Sequence, residues 1–517
     1  MYKDQINSVL ISGAGPTGMT AAMELSRMGI NVRIIDKALG PSATSRALAV
    51  QARTIELLEQ RGIAKEMLDK GNRALATTIY SDKKTLAKVD LTLISSRYNF
   101  CLLIPQSDTE DILRKQLEKQ NVTIEWQTEM TDFIQLPSNK GVTVTIRNAD
   151  GQTETFEASY LIAAEGAHSP TRAKLGVDFH GITMRQNYAL GDLHIDGDIP
   201  DDELSVFLTR KGFIAVFPLT GQRFRMMATD PAGNKTDQAP SLEYLQKLYD
   251  AVVHIPGRLY DVQWTSRFGI NSRMVHTLKV GNVFLGGDTA HIHSPAGGQG
   301  MNTGIQDMIN LCWKLAYYLK GIAREEILDS YQEERLPIIS SLLSTTERAT
   351  DLLNSTNPII HGLINTLLPP ILSMGMVQKK GAAVVGELSH SYSGSALADK
   401  DAKLKHLKAG DRLPNWDFTV DSISAQGMER KDVTLYQLLD PSSFTLFLLN
   451  CGEVSLRSEE YSPLVKTWHV ASNVESFVKL FDTSPAFVLV RPDSYIGVAG
   501  KYEEISLVNE WMKNWII

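Results

Sequence analysis

An apolar strand, a glycine-rich turn, a helix and a second strand ending in an acid open this chain. No other stretch restricts its fold as much. Val9 to Ser12 reads as a buried strand, Gly13-Ala14-Gly15-Pro16-Thr17-Gly18 as the turn, Met19 to Met28 as the helix, and Asn31 to Ile35 as a strand closed by Asp36. This is a G-x-G-x-x-G fingerprint in the βαβ context that gives it meaning. Gly13 permits the turn, Gly15 the close approach of a pyrophosphate, and Gly18 the tight packing of helix on strand. Asp36 is placed to accept hydrogen bonds from an adenosine ribose. The unit predicts dinucleotide binding.

A second glycine-rich turn lies far along the chain, Leu285 to Asn302, reading LGGDTAHIHSPAGGQGMN. It follows the short apolar run 282–284 and precedes a helical segment, Thr303 to Leu319. Asp288 could present its carboxylate to a polyol hydroxyl. The glycines let backbone N–H groups approach a flat ligand, with the positive end of a helix dipole beside it. A tight strand-to-helix loop without ligand would need only one or two of these glycines, so the ligand-site reading is preferred.

Between the two turns the segments are mixed. Ser45-Arg46-Ala47 precedes a helix from Arg53 to Glu59; Arg46 reads equally as a solvated charge or as a partner for a phosphate or anionic ligand. Ile104-Pro105-Gln106 leads into a helix from Asp108 to Lys119. Thr123 to Gln127, Val142 to Arg147 and Thr153 to Glu157 alternate like antiparallel strands around the hairpin signal at 148–151. A buried strand, Tyr160 to Ala164, runs into Glu165-Gly166-Ala167-His168-Ser169-Pro170-Thr171-Arg172, equally a ligand turn or a capped helix start. From about Val177 to Arg273 the chain is β-rich, with one helix from Leu242 to Val253. An inserted sheet of this kind commonly forms one wall of a cleft. After long helices at Thr303 to Lys320 and Glu325 to Leu353, a separate domain begins near Lys400, with strands at Phe444 to Asn450, Leu464 to Ser472 and Ala486 to Val490.

Composition matters for what it excludes. A formal net charge of −7 over 517 residues argues against nucleic acid as a partner. Cys101, Cys312 and Cys451 are far apart, without CxxC or metal-ligand spacing, which suits a reducing, cytoplasmic setting and no disulfide framework. The N-terminal apolar run is too short for a signal peptide. Pro358 to Val377 is apolar, but Pro369 and Pro370 would break a spanning helix, so two short buried or interfacial helices are expected and no stable membrane span.

GAGPTG, AEGAHSPTR and GDTAHIHSPAGGQGMNTG occur here in that order. Together they resemble the FAD-dependent aromatic hydroxylases, the single-component flavoprotein monooxygenases with a p-hydroxybenzoate hydroxylase-like core. The resemblance covers roughly Ser8 to Leu343. Beyond Lys400, including Arg491-Pro492-Asp493, the chain is similar to the thioredoxin-like C-terminal domain of the phenol, polyketide and rifampicin hydroxylase branch. The implied fold is α/β: a discontinuous Rossmann-like FAD-binding domain (1–176 and 274–345), an inserted antiparallel-sheet substrate domain (177–273), a helical connection (346–399) and a thioredoxin-like domain (400–517).

The resemblance also implies roles. Gly13, Gly15, Pro16, Thr17 and Gly18 would hold the FAD pyrophosphate, with Asp36 and Lys37 at the adenosine ribose. Arg46 and Gln106 would line the path to the ribityl chain, which Asp288 would bond. Pro295, Gly298, Gly300, Met301 and Asn302 would sit against the isoalloxazine, their N–H groups stabilising charge near N1 and O2 of reduced flavin. The middle motif usually carries Asp where this chain has Glu165, so Glu165 and Pro295 are the candidates nearest the flavin and nicotinamide path. His291 and His293 belong to the flavin loop in this motif, and no carboxylate–His cluster suggests a metal.

The implied activity is hydroxylation of an activated aromatic ring, phenolic, polyketide or antibiotic, by O2 activated at the flavin C4a. NAD(P)H would bind transiently as reductant, because no second GxGxxG is present. Two alternatives remain at this level: a flavin oxidase or dehydrogenase that inserts no oxygen, and a non-catalytic nucleotide-binding scaffold. The C-terminal domain would be structural, covering the core or building a homodimer contact, since Cys451 has no partner cysteine for redox work.

Overall fold

The computed structural model describes residues 8–42, 47–81, 83–209, 212–233, 238–294, 297–353, 370, 374–399, 404, 406–415, 417–424, 427–450, 464–470 and 485–516. Its first sheet runs, edge to edge, Lys279–Val280, Val283–Leu285, Tyr160–Ala163, Ser8–Ser12, Asn31–Ile35 and Ile124–Glu125. All neighbouring pairs are parallel except the hairpin that ends it at Lys279–Val280. Successive residues Val9, Leu10 and Ile11, and likewise Leu161 and Ile162, are fully buried. Burial of consecutive residues means that both faces of the sheet are covered, which is why these strands read as unbroken apolar runs. The Pro16–Arg27 helix packs along the Gly300–Leu319 helix, bringing the two glycine-rich turns to the same end of the sheet.

Ile124–Glu125 departs from the expected antiparallel group. It pairs in parallel with Asn31–Ile35, and the antiparallel sheet is instead Glu129–Gln135, Val142–Arg147 and Thr153–Ala158. Alternation along so short a stretch does not distinguish an outer parallel strand from a hairpin arm.

The second sheet has eight strands, in the order His291–Ile292, Gly257–Met274, His180–Gly197, Arg223–Thr229, Gly212–Pro218, Glu203–Thr209, Ala76–Ser81 and Lys84–Asp90. It therefore reaches beyond the expected 177–273 and takes in a hairpin from the N-terminal half and a short strand of the second glycine-rich segment. One face is closed by the Leu242–Val252 helix, whose Leu245 and Tyr249 pack with Phe207, Val216, Phe224 and Met226.

The C-terminal sheet is mixed: Val465–Val470, Phe444–Leu449, Ala486–Val490, Ile496–Lys501, with the first pair parallel and the others antiparallel. Phe444 sits edge-on to Trp313 of the Gly300–Leu319 helix at 5.7 Å between ring centroids, and Trp511 of the last helix closes on it at 5.4 Å. These residues join the core of the parallel sheet in one apolar cluster. Arg46, Pro295, Cys451 and most of the 358–377 stretch lie outside the described residues. Among the described residues no helix is long and apolar enough to cross a membrane.

Candidate active site

The three glycines of the first turn do different work. Gly13 holds φ +106°, and a Cβ there would fall 2.2 Å from the Ala164 carbonyl oxygen; a Cβ on Gly18 would fall 1.9 Å from the Gly13 carbonyl oxygen. Those two are glycine because backbone crosses backbone. A Cβ on Gly15 would meet nothing within 4 Å. Packing gives no reason for glycine there, whereas a ligand lying over the turn does. Pro16 begins the helix, where its missing N–H costs nothing.

Asp36 braces this turn. Its carboxylate accepts from the Ala14 N–H at 2.7 Å and the Ala38 N–H at 2.8 Å. Beside it opens a cleft lined by Gly13, Asp36, Lys37, Thr128, Met130 and Glu165. It lies at the carboxyl ends of the parallel strands, where open α/β sheets bind nucleotides.

Thr17 joins the two turns. Ideal Cβ positions on Gly287 and on Gly304 would each lie 2.4 Å from its Oγ1, so both must be glycine for Thr17 to fit between them. Asp288 is exposed on the adjoining turn, Gly287–Thr289. Farther on, Gly297 and Gly298 take φ +98° and +64°, and a Cβ on Gly298 would lie 2.6 Å from the Ala49 Cβ. The Asn302 side chain is not turned to a ligand. Its Oδ1 accepts from the Gln51 N–H, and its Nδ2 donates to the carbonyls of Ala49 and Gly298, all at 2.9 Å. Gln51 Nε2 donates to the Gly297 carbonyl at 2.9 Å. The turn is thus held through the carbonyls of Gly297 and Gly298. Gly300 and Met301, half-buried, begin the helix.

Gln106 clamps the residue after Arg46. The Ala47 N–H donates to Gln106 Oε1, and the Gln106 N–H donates to the Ala47 carbonyl, both at 3.1 Å. Arg225, from the eight-stranded sheet, donates to the same carbonyl at 3.2 Å while gripping Asp192 at 2.7 and 2.9 Å. This marks which face of that sheet is turned to the nucleotide domain. Register then fixes the rest of the face. Phe217, Arg225, Asp192 and Trp264 form one rung; Ala215, Met227, Leu190 and Ser266 the next; Thr229, Tyr188 and Phe268 the third, where the Phe213 N–H donates to Thr229 Oγ1. Tyr188 stacks with Phe268 at 5.6 Å, and Trp264 Nε1 donates to Asp192 at 3.1 Å. The wall is aromatic and apolar, ending in a neutralised ion pair.

Glu165 is saturated by protein donors. Ser12 Oγ donates to it at 2.8 Å, Thr171 Oγ1 at 2.7 Å, Ser169 Oγ at 2.5 Å and the Thr171 N–H at 3.2 Å. The capped helix start is present, with Ser169 as the N-cap, and Glu165 stands on the wall of the cleft.

The two histidines serve the fold. His291 lies 2.7 Å from Asp307 through Nε2, and Asp307 also accepts from Arg335 at 2.7 Å and from the Gly287 N–H at 3.1 Å. Burial pushes His293 down to about 4, keeping it uncharged at neutral pH. Asp307, Arg335, Gln51, Asp192 and Arg225 were not signalled by the sequence. Each sits in a regular helix or strand, or beside one, with no motif around it.

The family model that matches the chain is the FAD binding domain, over residues 7–346. The chain is 37% identical over 77% of its length, and 71% of the relative's, to a 6-methylpretetramide 4-monooxygenase of Streptomyces rimosus. It is 32% identical over 95% of its length, and 93% of the relative's, to an uncharacterized aromatic compound monooxygenase of Bacillus subtilis strain 168. This chain belongs to the FAD-dependent aromatic monooxygenases. A solved anhydrotetracycline hydroxylase from Streptomyces rimosus superposes with a TM-score of 0.81, covers 98% of both chains and is 26% identical. The chain is an FAD enzyme, and the open space before Gly15 fits that cofactor.

Proposed function

We propose that this monooxygenase hydroxylates a polycyclic aromatic substrate of the polyketide kind, held between the cofactor and the aromatic face of the eight-stranded sheet. The observation that carries this is the rung pattern of Phe213, Tyr188, Phe268, Phe217 and Trp264 on the face that Arg225 turns toward Ala47. A flat fused-ring system gains from broad apolar burial against such a wall, at roughly 25 cal/mol per Å2, and aromatic neighbours add directional preference. The relatives named for a methylpretetramide and an anhydrotetracycline support the same class.

The Gly13–Gly18 turn, Asp36 and the 297–302 turn would hold FAD, which when bound would pass the electrons of NAD(P)H to O2, one oxygen atom going to the ring and the other to water. The chain's own part is positioning. Thr17 with Gly287 and Gly304 holds the two turns together. Gln51 and Asn302 hold the second turn by the carbonyls of Gly297 and Gly298. Gln106 and Arg225 hold the start of the segment that follows Arg46. The sheet excludes water from the reacting ring.

We infer that the C-terminal region is thioredoxin-like, a reading supported by its mixed sheet with one parallel and two antiparallel pairs and the helix that closes it. Its role is structural.

The test is product analysis. Purified enzyme, given NADPH and a panel of fused-ring phenols, should consume NADPH in proportion to a product one oxygen atom heavier. Hydrogen peroxide in place of that product, across the whole panel, would favour the oxidase alternative.

A further inference from the structure

The Gly375–Val385 helix ends in a backbone arrangement that ordinarily calls for glycine. The Glu387 N–H bonds back to the Val384 carbonyl and the Leu388 N–H to the Ala383 carbonyl, with Glu387 at φ +58°. Glycine is the usual residue at this left-handed closing position, and a side chain there is strained. Here the position holds a glutamate that is 1% exposed. Its Oε2 accepts from Gln306 Nε2 at 2.5 Å, and its Oε1 has no hydrogen-bond partner among the described residues. Gln306 Nε2 is also 3.1 Å from Thr54 Oγ1. A strained backbone and a poorly satisfied buried carboxyl together indicate that the carboxyl is kept for a purpose.

That helix end is tied to two other pieces. Gln299 Nε2 donates to the Val384 carbonyl at 3.3 Å, and the Arg53 N–H donates to the Gly386 carbonyl at 3.0 Å. At the other end, Gln378 bonds the backbone of Lys88 and Asp90 in the eight-stranded sheet. The helix therefore spans from the edge strand of the eight-stranded sheet to the 297–302 turn.

We propose that Glu387 is a positioning residue for that turn: its carboxyl, through Gln306, seats the helix end against the Gly300–Leu319 helix and so fixes Gln299 and the backbone that follows. This rests on the reading of 297–302 as the flavin-facing turn. Burial pushes the Glu387 carboxyl up to about 8, against the pull of Gln306 and of the guanidinium groups of Arg335 and Arg53, and the Cys101 thiol also faces it. The seated form is therefore the uncharged one. Ionisation places a charge where, among the described residues, Gln306 alone donates to it, and the helix end must shift to hydrate it.

The experiment is FAD titration of apoprotein, followed by flavin fluorescence, for the wild type, Glu387→Gln and Glu387→Gly. A role confined to helix closure predicts that Glu387→Gly binds FAD as the wild type does, because glycine relieves the strain. The proposal predicts a Kd raised at least tenfold in Glu387→Gly and within about twofold in Glu387→Gln at pH 7. It also predicts that wild-type affinity weakens as pH rises through about 8, while Glu387→Gln stays flat. Unchanged binding in Glu387→Gly, or parallel pH profiles for wild type and Glu387→Gln, would overturn it. Should Glu387→Gly not fold, the pH comparison decides alone. Gly15→Val is the control: retention of flavin there would count against the cofactor site itself rather than against Glu387.

Discussion

Arg491 and Glu334 meet through two parallel hydrogen bonds, Nη1 to Oε1 at 2.6 Å and Nη2 to Oε2 at 2.8 Å, with both side chains fully buried. The pair crosses from the C-terminal sheet to the Ser330–Leu353 helix. Glu334 also accepts from Lys314 at 2.7 Å and Asn310 at 2.6 Å, while Asp493 takes Arg491 at 2.5 and 3.0 Å. Removing one member leaves charge stranded in the interior. Arg491→Met should therefore cost on the order of 3–5 kcal/mol in urea unfolding, and Glu334→Leu added to it should recover part of the loss. A single-variant cost below about 1 kcal/mol would mean that the pair does not bolt the two regions together.

How much of this could be read from residues alone follows from where each signal lives. The βαβ opening was legible because its turn, periodicity and acid are contiguous, and the strands Ser8–Ser12 and Asn31–Ile35 fall where the apolar runs are. The hairpin at 76–90 was not, because it belongs to the eight-stranded sheet through pairing with Glu203–Thr209, a contact between distant segments. The same holds within the candidate site. Glycines announce themselves, but which glycine faces a ligand depends on what stands opposite, and only Gly15 of the first three has open space. Asp307 and Glu387 look like ordinary charges in the sequence; their meaning comes from burial and from partners on other elements.

Asp307 gives a pH prediction. Burial raises its pKa, but Arg335 and His291 outweigh that and hold it down to about 2, against an ordinary 3.8. A depressed carboxyl stabilises the fold above its unfolded pKa, and that stability is lost as pH falls from about 4 toward 2. Asp307→Asn strands Arg335, so it should be less stable than wild type by about 3–5 kcal/mol at pH 6. The gap should narrow by about 1 kcal/mol by pH 3, as measured by urea unfolding at each pH. A gap that stays constant or widens on acidification would exclude this role for the carboxylate.

Gly15 and Gly18 should separate ligand space from packing space. Gly15→Val puts a side chain into the opening where the cofactor phosphates belong, with no protein atom nearby to object. It should fold, melt near the wild-type temperature and purify without flavin. Gly18→Ala, by contrast, drives a methyl to 1.9 Å from the Gly13 carbonyl oxygen and should be recovered poorly or with a lowered melting temperature. Full flavin occupancy in Gly15→Val would show that the nucleotide lies elsewhere.

Glu165 poses the sharpest choice between two roles. The family resemblance links this acid to reduction of the flavin by nicotinamide, while the hydrogen bonds give it a local task. Ser12, Ser169 and Thr171 spend four donors on its two oxygens, tying the end of a central strand to the first turn of the Pro170–Lys174 helix. Replacing the carboxylate by an amide of equal length keeps one acceptor oxygen and turns the other into a donor. The hydroxyls of Ser12, Ser169 and Thr171 can rotate to accept, but the Thr171 N–H cannot. Glu165→Gln should therefore retain FAD and lose about 1–2 kcal/mol of stability, with the rate of flavin reduction by NADPH changed less than about twofold, or roughly 0.4 kcal/mol of barrier. Stopped-flow reduction of the flavin absorbance, alongside thermal melts, decides it. A tenfold slower reduction at unchanged melting temperature would return Glu165 to the nicotinamide path, because a group that only braces the turn cannot slow hydride transfer without loosening the fold.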